Sequence, residues 1–250
     1  MRCSRFLIPL LLSLCLPGVA SAAEVRVAVA ANFAGTLREL ARGFESATGH
    51  RVLISSGSTG KQYAQIRNGA AFDVFLAADS ARPERLEAEG IGVAGSRFTY
   101  AVGRLALWAP GEPGLGLPDE YLRTADFGRL AIANPRLASY GLAAKQALEA
   151  WRLWDRLQPR LVRGENIAQA FQFVATGNAS AGLVALSHLH AGKVSEETFR
   201  LIPDDVHEPI RQQAVLLRGG EAAAAFTQYL RGAAATAVIR AAGYQVPVDR

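Results

Sequence analysis

Two short polar turns near the amino terminus carry the residues best suited to binding a ligand. Ala31-Asn32 and Gly57-Ser58-Thr59-Gly60 each follow an apolar strand pattern and open a helical one. Such junctions present unpaired backbone N–H groups and the positive end of a helix dipole, which together favour an anion. The glycines let the backbone approach a ligand closely. The pattern predicts an oxyanion site built from neutral hydrogen-bond donors.

Each of these residues also has a simpler interpretation. Asn32 and the pair Ser58 and Thr59 are favoured helix N-caps, and each could serve only its own helix. Lys61 suggests a phosphate-binding loop, but Ser55 replaces the first glycine of that motif and Gln62 replaces its final hydroxyl residue. We therefore reject the phosphate loop and expect Lys61 to be a solvated residue of the first helical turn.

The second half of the chain contains two similar junctions. Tyr140 follows a predicted strand at 130–133 and could donate its hydroxyl into a cleft; the alternative is a tyrosine packed at a loop. Asn166 is a good N-cap for a helix that begins at Ile167. The main-chain N–H of Ile167 is then a free donor, because the first turn of a helix has no internal acceptors.

Catalytic and metal-binding chemistry finds little support. The four histidines show no metal-ligand spacing with carboxylates, and we interpret them as surface residues. They are His50, His188, His190 and His207. The chain has no Gly-x-Ser-x-Gly elbow. The sequence therefore predicts a binding protein and not an enzyme, with no cofactor and no metal coordinated directly by side chains.

The amino terminus is typical of an export signal. Arg2 and Arg5 precede an apolar segment at 6–16, and small residues follow up to Ala22 and Ala23. The apolar segment is shorter than the about 20 residues that a membrane-spanning helix needs. Residues 1–23 are therefore predicted to be a signal peptide, cut after Ala22 or Ala23, which directs the protein to the periplasm.

Cleavage of this segment would change the composition of the mature chain. It would remove both cysteines, Cys3 and Cys15, which excludes disulfides, thiolate catalysis and cysteine-ligated metals. It would also lower the formal net charge from +5 to +3 through loss of Arg2 and Arg5. The remaining basic residues are scattered singly, so we predict no nucleic-acid partner.

Strand and helix patterns alternate along the rest of the chain. Apolar strand patterns occur near residues 25, 51, 72, 98, 130, 161, 182 and 213, mostly with helical periodicity between them. This rhythm predicts an α/β protein with two units and a ligand cleft between them. The stretches 98–109 and 213–217 are the predicted crossovers. They imply a discontinuous first lobe, 24–102 plus 215–250, and a second lobe, 103–214.

At these residues the chain resembles the periplasmic molybdate-binding proteins of ABC importers. The motifs that carry the resemblance are Ala30-Ala31-Asn32-Phe33, Gly57-Ser58-Thr59-Gly60 with Tyr63-Ala64-Gln65-Ile66, Asn134-Pro135 with Tyr140-Gly141-Leu142-Ala143, and Gln212-Gln213-Ala214-Val215. The resemblance implies a two-lobed type II periplasmic binding protein, each lobe a mixed sheet flanked by helices. It also implies a monomer that captures molybdate, with tungstate as a second ligand, for the membrane permease subunits of an ABC transporter.

The resemblance further implies a set of residues that bind the oxyanion. The set consists of Ala31, Asn32, Ser58, Thr59, Tyr140 and Ile167. Many relatives have a serine in place of Asn32 and commonly one in place of Thr59, and valine is usual at Ile167. Ala185 stands where some members have a tyrosine. In that respect the chain resembles the subgroup that supplies its phenol from the loop at 134–141.

Two alternatives remain open at this stage. The first is a two-lobed receptor for sulfate, thiosulfate or a small organic carboxylate. A carboxylate receptor would normally present an arginine for a bidentate clamp, and Arg136 and Arg163 are the candidates. The second is an exported hydrolase or transferase that uses the cleft, against which the missing nucleophile–base pair argues.

Overall fold

The computed structural model describes residues 22–247, so the predicted signal peptide lies outside the described residues except for Ala22 and Ala23. Its strands form two five-stranded sheets. The strands are β1 Glu24–Ala30, β2 Arg51–Gly57, β3 Val74–Ala77, β4 Phe98–Gly103, β5 Leu105–Trp108, β6 Leu130–Ala133, β7 Leu161–Gly164, β8 Ala181–Ala185, β9 Phe199–Leu201 and β10 Ile210–Leu216. The helices are α1 Ala34–Thr48, α2 Thr59–Arg67, α3 Ala81–Ala88, α4 Pro118–Thr124, α5 Ser139–Ala150, α6 Trp154–Leu157, α7 Ile167–Ala175, α8 Leu186–Ala191, α9 Glu221–Arg231 and α10 Ala233–Ala241.

Both sheets have the same internal order. In the first sheet β2, β1 and β3 run parallel, and β10 and β4 complete it, with β10 antiparallel to both of its neighbours. In the second sheet β7, β6 and β8 run parallel, and β5 lies antiparallel between β8 and β9. Strands β3, β6 and β8 are buried along their whole length, as expected for strands covered on both faces.

Helices cover both sheets and divide the molecule into two lobes. The first lobe consists of the first sheet with α1, α2, α3, α9 and α10, and the second lobe consists of the second sheet with the remaining helices. The fold class is therefore the predicted two-lobed α/β class with mixed sheets. Within residues 22–247, none of the helices combines the length and the apolar content needed to cross a membrane.

The chain passes from one sheet to the other twice. The first passage is at Arg104, between β4 and β5, and lies within the predicted crossover at 98–109. The apolar pattern of this stretch predicts a single strand, whereas the structure has two strands in different sheets. That prediction is wrong because the apolar pattern runs on across the crossing. The second passage lies between β9 and β10, and the predicted boundary at 214/215 falls inside β10. The division into 24–102 plus 215–250 and 103–214 stays a prediction, and residues 248–250 lie outside the described residues.

Several further elements differ from what the sequence pattern predicts. The pattern predicts one helix at about 142–154, whereas the structure has α5, which begins at Ser139 and ends at Ala150, followed by the short α6. Arg152 separates them with a φ of 59°, a left-handed conformation that ends a helix. Helix α4 and strand β9 were not expected. The alanine-rich stretch at 222–242, which predicts one long helix or a pair of helices, forms the pair α9 and α10, which meet at Gly232.

An apolar stripe fixes helix α1 on the first sheet. Leu37, Leu40 and Phe44 recur at helical spacing and are buried. The ring of Phe44 packs edge-on against Phe226 of α9, with centroids 5.1 Å apart. Each fully buried side chain of this size stabilises the fold by about 1.5–3 kcal/mol. This packing holds the amino end of α1 in a fixed place at the edge of the sheet.

Candidate functional site

A small cavity lies where the carboxyl ends of strands from both lobes meet. About 180 Å³ in and around it is free of protein atoms, with the open solvent at its mouth included. It is lined by Ala30, Ala31, Asn32, Gly57, Ser58, Thr59, Ala78, Ala138, Ser139, Tyr140, Asn166 and Ile167. The structure thus brings together all six residues of the predicted binding set. The side chains in this lining carry no formal charge.

Four helical segments begin at this cavity. A 3-10 turn, Ala31–Phe33, follows β1 and runs into α1, while α2 follows β2. In the second lobe α5 follows β6 and α7 follows β7. The first N–H groups of a helix have no acceptor inside the helix and carry its partial positive charge. Because the four amino ends face one volume, the site favours an anion without any cationic side chain.

The hydroxyl oxygens of Ser58 and Thr59, at the start of α2, already accept hydrogen bonds from the protein. Ser58 Oγ accepts from the N–H of Lys61 at 3.4 Å, so Ser58 is the N-cap of α2. Thr59 Oγ1 accepts from the N–H of Ala78 at 3.2 Å. A hydroxyl group has one hydrogen and can donate it while its oxygen accepts. Both residues therefore keep a hydrogen for a ligand, and the capping role of Ser58 does not compete with binding.

Tyr140 is fully buried and reaches from the second lobe to the crossing between the lobes. Its hydroxyl oxygen accepts from Gln212 Nε2 at 3.4 Å, and it lies against Gly103, where a Cβ atom would collide with it. Burial raises the pKa of the Tyr140 phenol well above its usual value, which keeps the group a donor. The residue also offers its main-chain N–H, since it lies in the first turn of α5.

The side chain of Asn32 is hydrogen-bonded to other protein groups. Its Nδ2 donates to Gln212 Oε1 at 2.7 Å and to the Tyr244 hydroxyl at 3.1 Å, which uses both amide hydrogens. Asn32 makes no side-chain cap on the 3-10 turn or on α1, so its interpretation as an N-cap is wrong. The donor that it can still offer is its main-chain N–H. The caps expected at Ser58 and at Asn166 are confirmed, and Asn166 Oδ1 accepts from the N–H of Gln169 at 3.1 Å.

Contacts between the lobes surround the cavity. The N–H of Gly60 in α2 donates to the carbonyl of Leu137 at 2.8 Å. Ser139 Oγ, at the start of α5, donates to the carboxylate of Asp79 at 2.9 Å. The guanidinium of Arg82 pairs with the same carboxylate. The two lobes are therefore in direct contact beside the site.

Sequence reasoning missed several residues of this region, among them Gln212, Tyr244 and Ser139. A signal for Gln212 existed. In β10, Ile210, Gln212 and Ala214 alternate with outward-facing residues and are buried, so a strand period of two places Gln212 on the inner face. No comparable local pattern marks Tyr244, because its partners lie in distant parts of the chain.

The other candidates from the sequence lie elsewhere. Arg136 and Arg163 line a separate, open pocket on the second lobe, with about 1040 Å³ free of protein atoms when the adjoining solvent is included. Neither side chain lines the small cavity. The expectation of surface histidines is wrong for His207, which is buried, and His188 is half-buried in α8 with Nε2 3.4 Å from the carbonyl of Ala31. Among the described residues, no three His, Cys, Asp or Glu side chains are grouped as metal ligands.

We expect Lys61→Ala to leave the ligand affinity within about threefold. Lys61 Nζ lies 2.9 Å from Glu165 Oε1 of the second lobe, and both side chains are about half exposed. Exposed ion pairs contribute little because water and salt screen them. Titration calorimetry of Lys61→Ala, with Glu165→Gln as the matched variant of the other partner, measures this. A large loss in Lys61→Ala alone would mean that the lysine grips the ligand directly.

Comparison with known proteins agrees with the fold and identifies the family. The family described as bacterial extracellular solute-binding protein matches residues 25–245. The molybdate-binding protein ModA of Azotobacter vinelandii is 52% identical over 231 residues, which cover 90% of this chain and 91% of that protein. ModA of Rhodobacter capsulatus is 41% identical over 247 residues, 98% of this chain and 96% of that one.

Solved structures give the same result. The periplasmic molybdate-binding protein of Azotobacter vinelandii aligns with a TM-score of 0.84 at 42% identity, over 90% of this chain and all of that one. A sulfate-binding protein of Mycobacterium tuberculosis aligns with a TM-score of 0.70 at 14% identity, over 90% and 87% of the two chains, and so shares the fold alone. With these identities over nearly its whole length, the chain belongs to the bacterial extracellular solute-binding proteins and, within them, to the ModA molybdate-binding proteins.

Proposed function

We propose that this protein captures molybdate in the periplasm and delivers it to the permease subunits of an ABC importer, as a monomeric receptor and not as an enzyme. The observation that carries the proposal is the small interlobe cavity, where four helix amino ends and two free hydroxyl hydrogens face one volume. The 52% identity to a ModA protein supports molybdate as the ligand. The predicted signal peptide at 1–23 supports the periplasmic location.

Both lobes would contribute donors to the bound oxyanion. The proposed contacts from the first lobe are the main-chain N–H groups of Ala31 and Asn32 and the hydroxyl groups of Ser58 and Thr59. Those from the second lobe are the hydroxyl and the main-chain N–H of Tyr140 and the main-chain N–H of Ile167. A hydrogen bond to a charged group contributes about 1.5–3 kcal/mol. Six to eight of them give roughly 10–20 kcal/mol before the cost of ordering and lobe closure.

A neutral lining suits a protein that must also release its ligand. A net binding free energy of about 8–12 kcal/mol corresponds to micromolar to nanomolar affinity. Because donors come from both lobes, the anion stabilises the closed arrangement over any open one. Reopening at the transporter then breaks hydrogen bonds to an anion but separates no buried ion pair of the site.

The same lining gives selectivity by protonation and by size. A cavity that offers only donors suits an oxyanion without protons. Phosphate near neutral pH keeps a proton, which would face donors and find no acceptor. Sulfate is fully deprotonated but smaller, so some donors would stay unpaired at about 1–3 kcal/mol each. Tungstate has nearly the size of molybdate, and we propose that it binds as well.

A thermal-shift panel tests this function. The purified mature chain is melted with molybdate, tungstate, sulfate, phosphate and citrate, and calorimetry then gives the affinities. A ligand at about 1,000 times its Kd stabilises the folded protein by about 4 kcal/mol, so molybdate and tungstate should raise the Tm strongly. The other three anions should leave it nearly unchanged. A larger shift with sulfate or citrate than with molybdate would overturn the proposed cargo.

A further inference from the structure

Gln212 lies at the base of the site, although it does not line the cavity. It is 0% exposed and belongs to β10, the strand that follows the second passage between the lobes. The pairing of β10 with β4 shifts in register between Gln212 and Gln213. Such an irregularity re-aims a side chain relative to a regular strand. A buried carboxamide is costly unless all its polar groups find partners, so its contacts indicate why it is there.

The carboxamide of Gln212 connects binding residues of both lobes. Its Oε1 accepts from Asn32 Nδ2 at 2.7 Å and from the Tyr100 hydroxyl at 3.2 Å. Its Nε2 donates to the Tyr140 hydroxyl at 3.4 Å. Asn32 belongs to the first lobe and Tyr140 to the second. One side chain therefore joins the turn after β1 to the amino-terminal turn of α5.

Each contact restricts what its partner can do. Because Gln212 Nε2 occupies a lone pair of the Tyr140 oxygen, the phenol hydrogen must point to another acceptor. Because Gln212 Oε1 and Tyr244 accept both hydrogens of the Asn32 amide, that side chain has no free hydrogen for the ligand while these bonds are in place. The orientation of the 3-10 turn, and with it the main-chain N–H of Asn32, is thereby fixed.

We propose that Gln212 is a positioning residue of the binding site, which aligns Asn32 of the first lobe with Tyr140 of the second through one carboxamide. This assignment rests on the proposed function and deepens it. The residue raises ligand affinity without touching the ligand, because it holds two sets of donors in one arrangement before the anion enters.

Gln212→Glu separates positioning from a merely structural role. A protonated glutamic acid has nearly the shape of glutamine, with a carbonyl to accept from Asn32 and an O–H to donate to Tyr140. The ionised form has no donor for Tyr140 and adds a negative charge beside the anion. Burial raises the pKa of a carboxylic acid, so the variant side chain at position 212 changes from its protonated to its ionised form closer to neutral pH.

The titratable groups near Gln212 keep the same protonation state over the pH range in which binding is measured. They are the phenols of Tyr100, Tyr140 and Tyr244, and burial raises the pKa of each. Asp79 acts on Tyr100 from the first lobe, and His188 contacts Ala31, with its pKa lowered by burial. The phenols stay protonated, and His188 stays neutral, between about pH 7 and 9.

Calorimetry with molybdate over this pH range is the test. Wild-type affinity should stay nearly constant. Gln212→Glu should bind within about threefold of wild type at the low end and lose about 30-fold or more at the high end. Gln213→Glu is the matched control on the same strand, because Gln213 Oε1 accepts from Arg97 at 2.8 Å and a carboxylate suits that contact. Its profile should follow the wild type.

A second variant keeps the proposal testable if Gln212→Glu does not fold. Gln212→Met retains the length of the side chain and lacks both kinds of hydrogen bond, and its affinity should fall by about tenfold or more. A folded Gln212→Met with wild-type affinity, or a Gln212→Glu profile parallel to the wild type, would overturn the assignment. If the wild-type chain itself shows no affinity for molybdate, the proposed function fails instead.

Discussion

Gly60→Val should reduce ligand affinity by at least about 100-fold while both lobes stay folded. Gly60 faces the other lobe, and a Cβ at this position would lie 3.0 Å from the carbonyl oxygen of Leu137 and 3.3 Å from its Cα. Valine adds two further methyl groups at this closest approach, so the lobes cannot close. The donors of one lobe then no longer reach the anion, and the loss of two hydrogen bonds alone amounts to about 3–6 kcal/mol.

The matched control is Gly35→Ala. Gly35 lies in α1, and a Cβ there has no atom within 4 Å. Alanine favours a helix over glycine by about 1 kcal/mol, so this variant should melt slightly higher and bind normally. Calorimetry gives the affinities, and small-angle scattering with molybdate shows whether the lobes close. Wild-type affinity in a folded Gly60→Val would contradict the role of closure.

Ile167→Pro should lower the affinity by about 10- to 150-fold, which corresponds to one hydrogen bond of about 1.5–3 kcal/mol to an anion. Ile167 is the first residue of α7, so its N–H has no acceptor in the helix. Proline removes this N–H and is well tolerated at the first helical position. Asn166 has φ −140° and ψ 175°, an extended conformation that suits the residue before a proline.

Ile167→Val serves as the control, since it trims the same buried side chain and keeps the N–H. It should cost about 0.5–1.5 kcal/mol of fold stability and change the affinity by no more than about twofold. Urea unfolding of both variants separates stability from binding. Equal affinities for the proline and valine variants would show that the main chain of Ile167 is not a ligand donor.

The alternation of strands and helices could be predicted from local patterns, and where the signals were complete the bounds were accurate. Helix α7 begins at Ile167, as predicted, because Asn166 caps it and its apolar residues recur at helical spacing. The passage at Arg104 lies within the predicted crossover at 98–109, but the split into two strands was not predicted, since β4 and β5 share one apolar run and the choice of sheet depends on distant strands. Helix α4 was missed although Pro118 and the acidic Asp119 mark its start.

The candidate site shows the same division between local and distant information. The turns at Ala31 and Ser58 were found because each combines a strand end, small residues and a helix start. The partners of Asn32 were not found, because Gln212 and Tyr244 lie 180 and 212 residues away in the chain. Their contacts exist only after the first lobe, whose segments are distant in the sequence, has folded.

The shared strand order of the two sheets has a geometric consequence for the ligand. The turn after β1 corresponds to the one after β6, and the turn after β2 to the one after β7, so each lobe presents an equivalent pair of helix amino ends to the cavity. A tetrahedral ion can offer two oxygen atoms to each pair. A planar ion with three oxygen atoms, such as nitrate, cannot do so. The duplicated architecture therefore selects for the shape of the ion as well as for its charge.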